Sequence, residues 1–253
     1  LHLMEVNILI IPVAGQGSKS TNEECDPQPS PFVDDDGKQI ISWVLDKVDS
    51  QHIDATIILS ILKKQQEAND LISQLKHLKS KIKFIEVDDA TEGAAFTALL
   101  AKEYIDTDTP LFIVNSDQLI QWDVDSFWKD RILANSEGID GDVLCYHGPM
   151  ENNEVKSSHY AAVDDDGYIA DLKVKEKYAI TDNATVGMYY WAKGSDFVVS
   201  AESMIDANEQ AKGKFDVAQA CLHGIKNHGR KYTITVCERC VIVFMVWVYR
   251  TIL

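Results

Sequence analysis

The sequence predicts an α/β fold built on a mostly parallel sheet that is covered on both faces. Three observations carry this. Residues 6–13 (VNILIIPV) form a short β-branched run that ends in a glycine turn, the pattern of a buried strand. Apolar residues then recur alternately at helix and strand spacing to about residue 135, and this alternation argues for parallel strands joined by helices. After Gly141 the texture changes to short strands separated by polar turns, so the second half is expected to add mixed or antiparallel strands.

Each element follows from its spacing. Ile40, Ile41, Val44, Leu45 and Val48 repeat at helical intervals, and residues 55–62 (ATIILSIL) read as a strand. Leu71, Ile72, Leu75 and Leu78 share one helical face, residues 82–87 form a strand, and Phe96, Leu99, Leu100 and Tyr104 mark a further amphipathic helix. The run LFIV at 111–114 is the next strand. Strand-like pieces follow at 142–146, 160–163, 168–174 and 185–191, with Asp164-Asp165-Asp166-Gly167 as a turn. Ser195 is placed to cap a helix carrying Phe197, Val198, Ala201, Met204 and Ile205, and another helix is expected over 215–225.

Composition narrows the function. With 253 residues, 45% of them apolar, the chain can bury a sizeable core. Its 24 basic against 40 acidic residues give a net charge of -16, which repels a polyphosphate backbone, so a nucleic-acid partner is not expected. The cysteines, Cys25, Cys145, Cys221, Cys237 and Cys240, are odd in number and scattered, which favours a reducing compartment over a disulfide framework. The late apolar run at 241–249 is about half of the roughly 20 residues a spanning helix needs. A soluble, cytoplasmic protein without a membrane partner is the expectation.

Two strand ends carry polar motifs. Ala14-Gly15-Gln16-Gly17-Ser18-Lys19 follows the first strand, where glycines let backbone N–H groups approach a phosphate and a lysine neutralises it; a plain tight connection is the alternative. The spacing fits neither a P-loop nor the dinucleotide fingerprint, since Ser20 stands at the third glycine position. Asn115-Ser116-Asp117-Gln118 follows the strand at 111–114. Asp117 suits a divalent cation on phosphate oxygens, or else caps the turn. Glu92-Gly93-Ala94-Ala95 opens a helix with small residues, against which a flat base could lie or a neighbouring segment could pack.

In sequence order, Ile10-Ile11-Pro12-Val13-Ala14-Gly15-Gln16-Gly17-Ser18, Pro31-Phe32-Val33 with Gly37-Lys38, Thr91-Glu92-Gly93-Ala94-Ala95, Asn115-Ser116-Asp117-Gln118, Glu176-Lys177 and Ala184-Thr185-Val186-Gly187-Met188-Tyr189-Tyr190 resemble the sugar-phosphate nucleotidylyltransferases, or nucleotide-sugar pyrophosphorylases, of the short bacterial type. The resemblance covers about residues 5–235. It implies a Rossmann-like three-layer fold of the nucleotide-diphospho-sugar transferase (GT-A-like) kind and a single domain over 1–253. Residues 5–135 would bind nucleotide, 136–235 would bind sugar phosphate, and 236–253 form an atypical tail. It further implies that Ala14, Gly15, Gln16, Gly17, Ser18, Glu92, Gly93 and Ser116 hold a nucleoside triphosphate. Asp117 would bind Mg2+, while Glu176, Lys177, Val186 and Gly187 receive the sugar phosphate. Lys19, Asp117 and Lys177 are the expected catalytic residues. Asp216 in Lys214-Phe215-Asp216-Val217 is the candidate second metal ligand, with a charge at a helix start as its alternative.

The implied reaction is in-line attack of a sugar-phosphate oxygen on the α-phosphorus with loss of pyrophosphate, serving surface polysaccharide synthesis. Two positions depart from the family. Lys19 replaces an arginine and so lacks its bidentate fork. Pro29-Ser30-Pro31 replaces Pro-Lys-Pro, which removes a cation from the leaving group. A glycosyltransferase of similar fold, or a catalytically impaired binding relative, is the alternative; the former is expected to show D-x-D where Asp117 is followed by Gln118 and Leu119.

Other motifs promise less. Asp34-Asp35-Asp36-Gly37 and Asp164-Asp165-Asp166-Gly167 lack the ligand spacing of a calcium loop, and Cys237-x-x-Cys240 is a lone pair. A Ser-His-acid arrangement converges only in space and leaves no trace in sequence order. At the chain end, residues 244–253 do not follow the family's Gly-Leu-Gly-Thr-Pro-Glu-Asp-like turn. One codon choice for this stretch, read in another frame, gives Tyr-Gly-Leu-Gly-Val-Pro-Asp-Asp-Leu, so a frameshift before Phe244 is the expectation, with a genuine terminal strand as its alternative.

Overall fold

A computed structural model describes residues 3–11, 44–45, 47–48, 50–62, 81–87, 91–115, 118–147, 158–176 and 181–242. The helix expected around 71–78, the acidic run at 34–37 and residues 244–253 lie outside the described residues. The strands are β1 (Met4–Ile11), β2 (Ile53–Leu62), β3 (Lys81–Val87), β4 (Leu111–Asn115), β5 (Gln118–Gln121), β6 (Gly141–His147), β7 (Ser158–Val163), β8 (Ile169–Glu176), β9 (Asn183–Trp191), β10 (Tyr232–Cys237) and β11 (Arg239–Ile242). The helices are α1 (Ala94–Leu99), α2 (Lys102–Ile105), α3 (Val124–Ser136), α4 (Gly194–Asp206) and α5 (Val217–His228).

Seven strands run in the order β10-β6-β9-β4-β1-β2-β3, with the β7–β8 hairpin joined to β9 and a separate β5–β11 ribbon. β1 pairs in parallel with both β2 and β4, β2 with β3, and β6 with β10. The second half brings the antiparallel component, because β9 inserts between β4 and β6 and runs against both. The result is the expected α/β, Rossmann-like architecture with a mixed sheet.

Side-chain alternation explains the two covered faces. Leu9 and Ile11 point to a core shared with α1, α2, α4 and α5, whereas Ile8 and Ile10 point to a second core with Val44, Leu45, Val48 and the α3 residues Phe127 and Trp128. A strand apolar on both sides therefore reads as an unbroken run in sequence. Trp128 is wholly buried and donates its indole N–H to the Val48 carbonyl at 3.1 Å, which ties α3 to the segment before β2.

Local outcomes differ from expectation at several points. The helix carrying Phe96 to Tyr104 divides into α1 and α2 around Leu100 and Ala101. Ser195 does not cap α4; the helix starts at Gly194, whose α-carbon sits so close to the Ile105 carbonyl that an added Cβ would lie 2.0 Å from it. Close approach of α2 fixes that helix start. β10 and β11 use residues for which no strand was anticipated, because parallel pairing of β10 with β6 is a long-range event that leaves little local pattern. Among the described residues no helix is long and apolar enough to cross a membrane.

One buried charge crosses the sheet's second half. Asp142 on β6 is fully buried, accepts from Arg131 of α3 at 3.0 Å, and takes the Thr233 hydroxyl of β10 at 2.6 Å. Burial pushes its carboxyl up to about 6, although the Arg131 guanidinium and the Thr233 hydroxyl pull it down. A carboxyl held above its unfolded value binds its proton more tightly when folded. Its contribution to stability is thus fully present below about pH 4 and is lost as pH rises through about 6. We expect chemical denaturation at pH 4 to 7 to show the wild type losing on the order of 2–3 kcal/mol relative to Asp142→Asn across that interval; a pH-independent difference would show that Asp142 stays ionised throughout.

Candidate active site

β1 and β4 lie side by side and end together, with Ile11 opposite Asn115. The carboxyl ends of these two strands are thus adjacent, at the edge of the sheet where ligands of open α/β folds bind. Ala14, Gly15, Gln16, Gly17, Ser18, Lys19, Ser30, Ser116, Asp117 and Lys177 themselves lie outside the described residues. Glu176 closes β8 opposite Ser158 of β7.

The Glu92-Gly93 segment is described, and its smallness has a local cause. The Glu92 carbonyl accepts the Phe215 N–H at 3.0 Å, and the Ala95 N–H donates to the Phe215 carbonyl at 3.1 Å. Gly93 lies between these bonds at φ 148°, and a Cβ there would be 2.2 Å from the Phe215 oxygen. No side chain fits that gap. Thr91 braces the turn by donating its hydroxyl to the Gly93 carbonyl at 3.0 Å, and the Phe96 and Phe215 rings meet at 5.8 Å. Gly93 is therefore required for backbone apposition to Phe215, and this apposition sets Asp216 next to Glu92 and Gly93.

Asp216 stands at the start of α5 as its N-cap, accepting the Ala218 N–H at 3.1 Å on Oδ1. This is the helix-start role given above as the alternative to metal binding. The two are compatible, since a carboxylate has a second oxygen. Its side chain is 17% exposed, and Nδ1 of His159 lies 3.8 Å from the same Oδ1. Among the described residues no three of His, Cys, Asp and Glu converge as a metal site, so Asp216 is the single described member of the expected pair.

Gly187 makes a bulge. On β6, Leu144 alone separates Val143 (opposite Tyr189) from Cys145 (opposite Thr185), whereas β9 interposes Val186, Gly187 and Met188. Gly187 takes φ 71°, a left-handed conformation that favours glycine. Val186 is wholly buried in the second core. The bulge brings the Thr185 and Tyr189 hydroxyls to 3.3 Å, and His159 Nδ1 is 3.5 Å from the Tyr189 oxygen. Burial pushes the Tyr189 phenol well above 10, and the Asp216 charge adds to the shift. His159, Thr185 and Tyr189 escaped sequence reasoning as a group, because β7, β9 and the start of α5 meet only in the fold.

Elsewhere, Ser203, His223 and Glu209 converge at triad distances. His223 Nε2 lies 2.9 Å from the Ser203 hydroxyl and Nδ1 lies 2.9 Å from the Glu209 carboxylate. Ser203 sits inside α4, where backbone N–H groups are consumed by the helix ladder and offer no oxyanion hole. The cluster ties α4 to α5. The Asp164 run is a hairpin turn, its Oδ1 accepting the N–H groups of Asp166 and Tyr168. Cys145, Cys221 and Cys237 are free and buried, and burial pushes the Cys237 thiol up to about 11, away from redox use.

A family profile described as nucleotidyl transferase matches residues 23–237. No curated protein sequence matches the chain. Solved structures share the fold. A nucleoside-diphosphate-sugar pyrophosphorylase from Vibrio cholerae RC9 aligns at TM-score 0.70 and 15% identity over 96% of this chain and 98% of its own. A UDP-glucose pyrophosphorylase complexed with UDP-glucose aligns at TM-score 0.68 and 15% identity, covering 98% and 96%. The inositol-1-phosphate CTP transferase from T. maritima aligns at TM-score 0.62 and 11% identity, covering 93% and 86%.

The Gly93–Phe215 contact makes a direct prediction. Gly93→Ala forces a methyl group into the Phe215 backbone and should destabilise the protein by about 2 kcal/mol or more in urea denaturation; an unchanged midpoint would mean that Phe215 does not depend on Gly93.

Proposed function

Because the chain belongs to the nucleotidyl transferase family, we propose that it joins a nucleoside triphosphate to a sugar 1-phosphate or similar phospho-metabolite, giving a nucleotide sugar and pyrophosphate. The observation that supports this reading is the shared ending of β1 and β4, the two strands that the glycine motif and the Asp117 motif follow in sequence. Surface polysaccharide synthesis is the process proposed for the product. The cytoplasm is the proposed compartment, supported by the free, buried thiols of Cys145, Cys221 and Cys237.

In this reading the backbone N–H groups of Gly15, Gln16 and Gly17 donate to the triphosphate, and Lys19 neutralises it. Glu92, Gly93 and Ser116 border the nucleoside. Glu176 and Lys177, with the backbone at Val186 and Gly187, receive the sugar phosphate and aim its oxygen at the α-phosphorus. Positioning of this kind is the main catalytic resource in phosphoryl-type transfer. Asp117 and Asp216 would hold magnesium, since both offer the hard oxygens it prefers, and Asp216 keeps an oxygen besides the one that caps α5. When bound, magnesium supplies charge neutralisation on the triphosphate and the departing pyrophosphate.

A panel of triphosphates against sugar 1-phosphates, read by pyrophosphate release, tests the reading. One productive pair is expected; transfer of sugar from a nucleotide sugar instead would establish a glycosyltransferase, and silence across the panel a binding relative. Asp117→Asn is expected to abolish magnesium-dependent triphosphate binding in calorimetry while leaving the melting temperature nearly unchanged. Ser30→Lys is expected to raise turnover by restoring a cation beside the leaving group, up to the order of a hundredfold that such a group commonly contributes; a flat or reduced rate would mean that residues 29–31 do not stand where the family's Pro-Lys-Pro does.

A further inference from the structure

We propose that His159 is a positioning residue for the Asp216 carboxylate, acting from β7 on the oxygen that caps α5. The inference rests on the reading of Asp216 as a metal ligand and adds a group that neither the motifs nor the family profile assigns. Three observations carry it. His159 Nδ1 stands 3.8 Å from Asp216 Oδ1, and both side chains are mostly buried, at 20% and 17% exposure. The same oxygen takes the Ala218 N–H of α5, so the carboxylate is approached by one donor from its helix and by the imidazole from the hairpin strand. The imidazole is itself located by the Tyr189 hydroxyl at 3.5 Å, which the Gly187 bulge holds 3.3 Å from Thr185.

The physical consequence is rotational. A capping aspartate held by a single N–H retains freedom about χ2, and its outer oxygen sweeps an arc. An imidazole beside the capped oxygen restricts that arc, which leaves the outer oxygen with one preferred direction. A ligand oxygen fixed in advance loses less entropy when a cation arrives, and partners of ligating carboxylates commonly change metal affinity by 10–100-fold when removed. His159 therefore acts on metal uptake, with no role of its own in proton transfer.

The test uses the full chain with Mn2+ as a paramagnetic stand-in, titrated in the presence of the triphosphate that the wild type binds. His159→Ala should weaken Mn2+ uptake about tenfold or more, with nucleotide binding in chelator unchanged and KM for the metal rising more than kcat falls. His159→Gln, which keeps a side-chain N–H, should recover most of the affinity. Thermal melts of both variants guard against a folding defect. Unchanged Mn2+ affinity in His159→Ala, or equal loss in both variants, overturns the positioning role while leaving the nucleotidyl transfer reading intact. A wild type that releases pyrophosphate yet takes up no Mn2+ overturns the proposal together with the Asp216 assignment, and a wild type inactive across the substrate panel overturns the functional reading itself.

Discussion

Everything else in the molecule is arranged around the double burial of β1. A strand with apolar side chains on both faces has no exposed face, so its backbone groups must be satisfied by strands on both edges. β2 and β4 do this in parallel, and the Asn7 N–H reaches the Pro110 carbonyl at 2.8 Å where β4 is about to begin. Parallel neighbours cannot be joined by tight hairpins, which sends the intervening chain across one face or the other. The helical residues Val44, Leu45 and Val48 cover one side and α1 with α2 the other, and β1 and β4 end together. A site at those ends is a result of the topology before any particular side chain is considered.

The second half of the chain completes that site by reaching back. β9 enters the sheet beside β4 and is bent at Gly187, while Phe215 docks over Gly93 through backbone hydrogen bonds to its neighbours Glu92 and Ala95. The two contacts work alike. In each, a glycine without a Cβ admits either a backbone conformation or a backbone neighbour that other residues would obstruct. Together they bring β9 and the start of α5 against segments much earlier in the chain, β4 and the Glu92 turn.

Away from the site, polar groups between helices serve to fix geometry. Gly224 of α5 allows close approach to Ser200 of α4, where an added Cβ would lie 2.8 Å from the hydroxyl, and His223 bridges Ser203 and Glu209 one face further round. Arg230 reaches both Asp140 and Asp196, joining the turn after α5 to the start of α4. A helix pair held this firmly presents the N-terminus of α5, and hence Asp216, from a fixed direction. The resemblance of Ser203, His223 and Glu209 to a hydrolytic triad is a matter of three distances alone, because the donors that stabilise an oxyanion are absent from a helix interior.

What the sequence determined by itself is the periodic part. The runs at 6–11, 55–62, 82–87 and 111–114 become strands because short segments rich in β-branched and aromatic residues suit a buried pleated surface, and the change of texture after Gly141 marks where antiparallel pairing enters. The motifs at Glu92-Gly93, Gly187 and Asp216 were also legible as positions, since glycines and a capping aspartate are local signals. Their partners were not. That Gly93 faces Phe215, that His159 meets Tyr189 and that it comes to Asp216 are pairings between strands and helices distant in the chain. So is the parallel union of β10 with β6. Such contacts are decided by which buried faces fit together once the sheet has formed, and side-chain spacing along one segment carries no record of the segment that will pack against it.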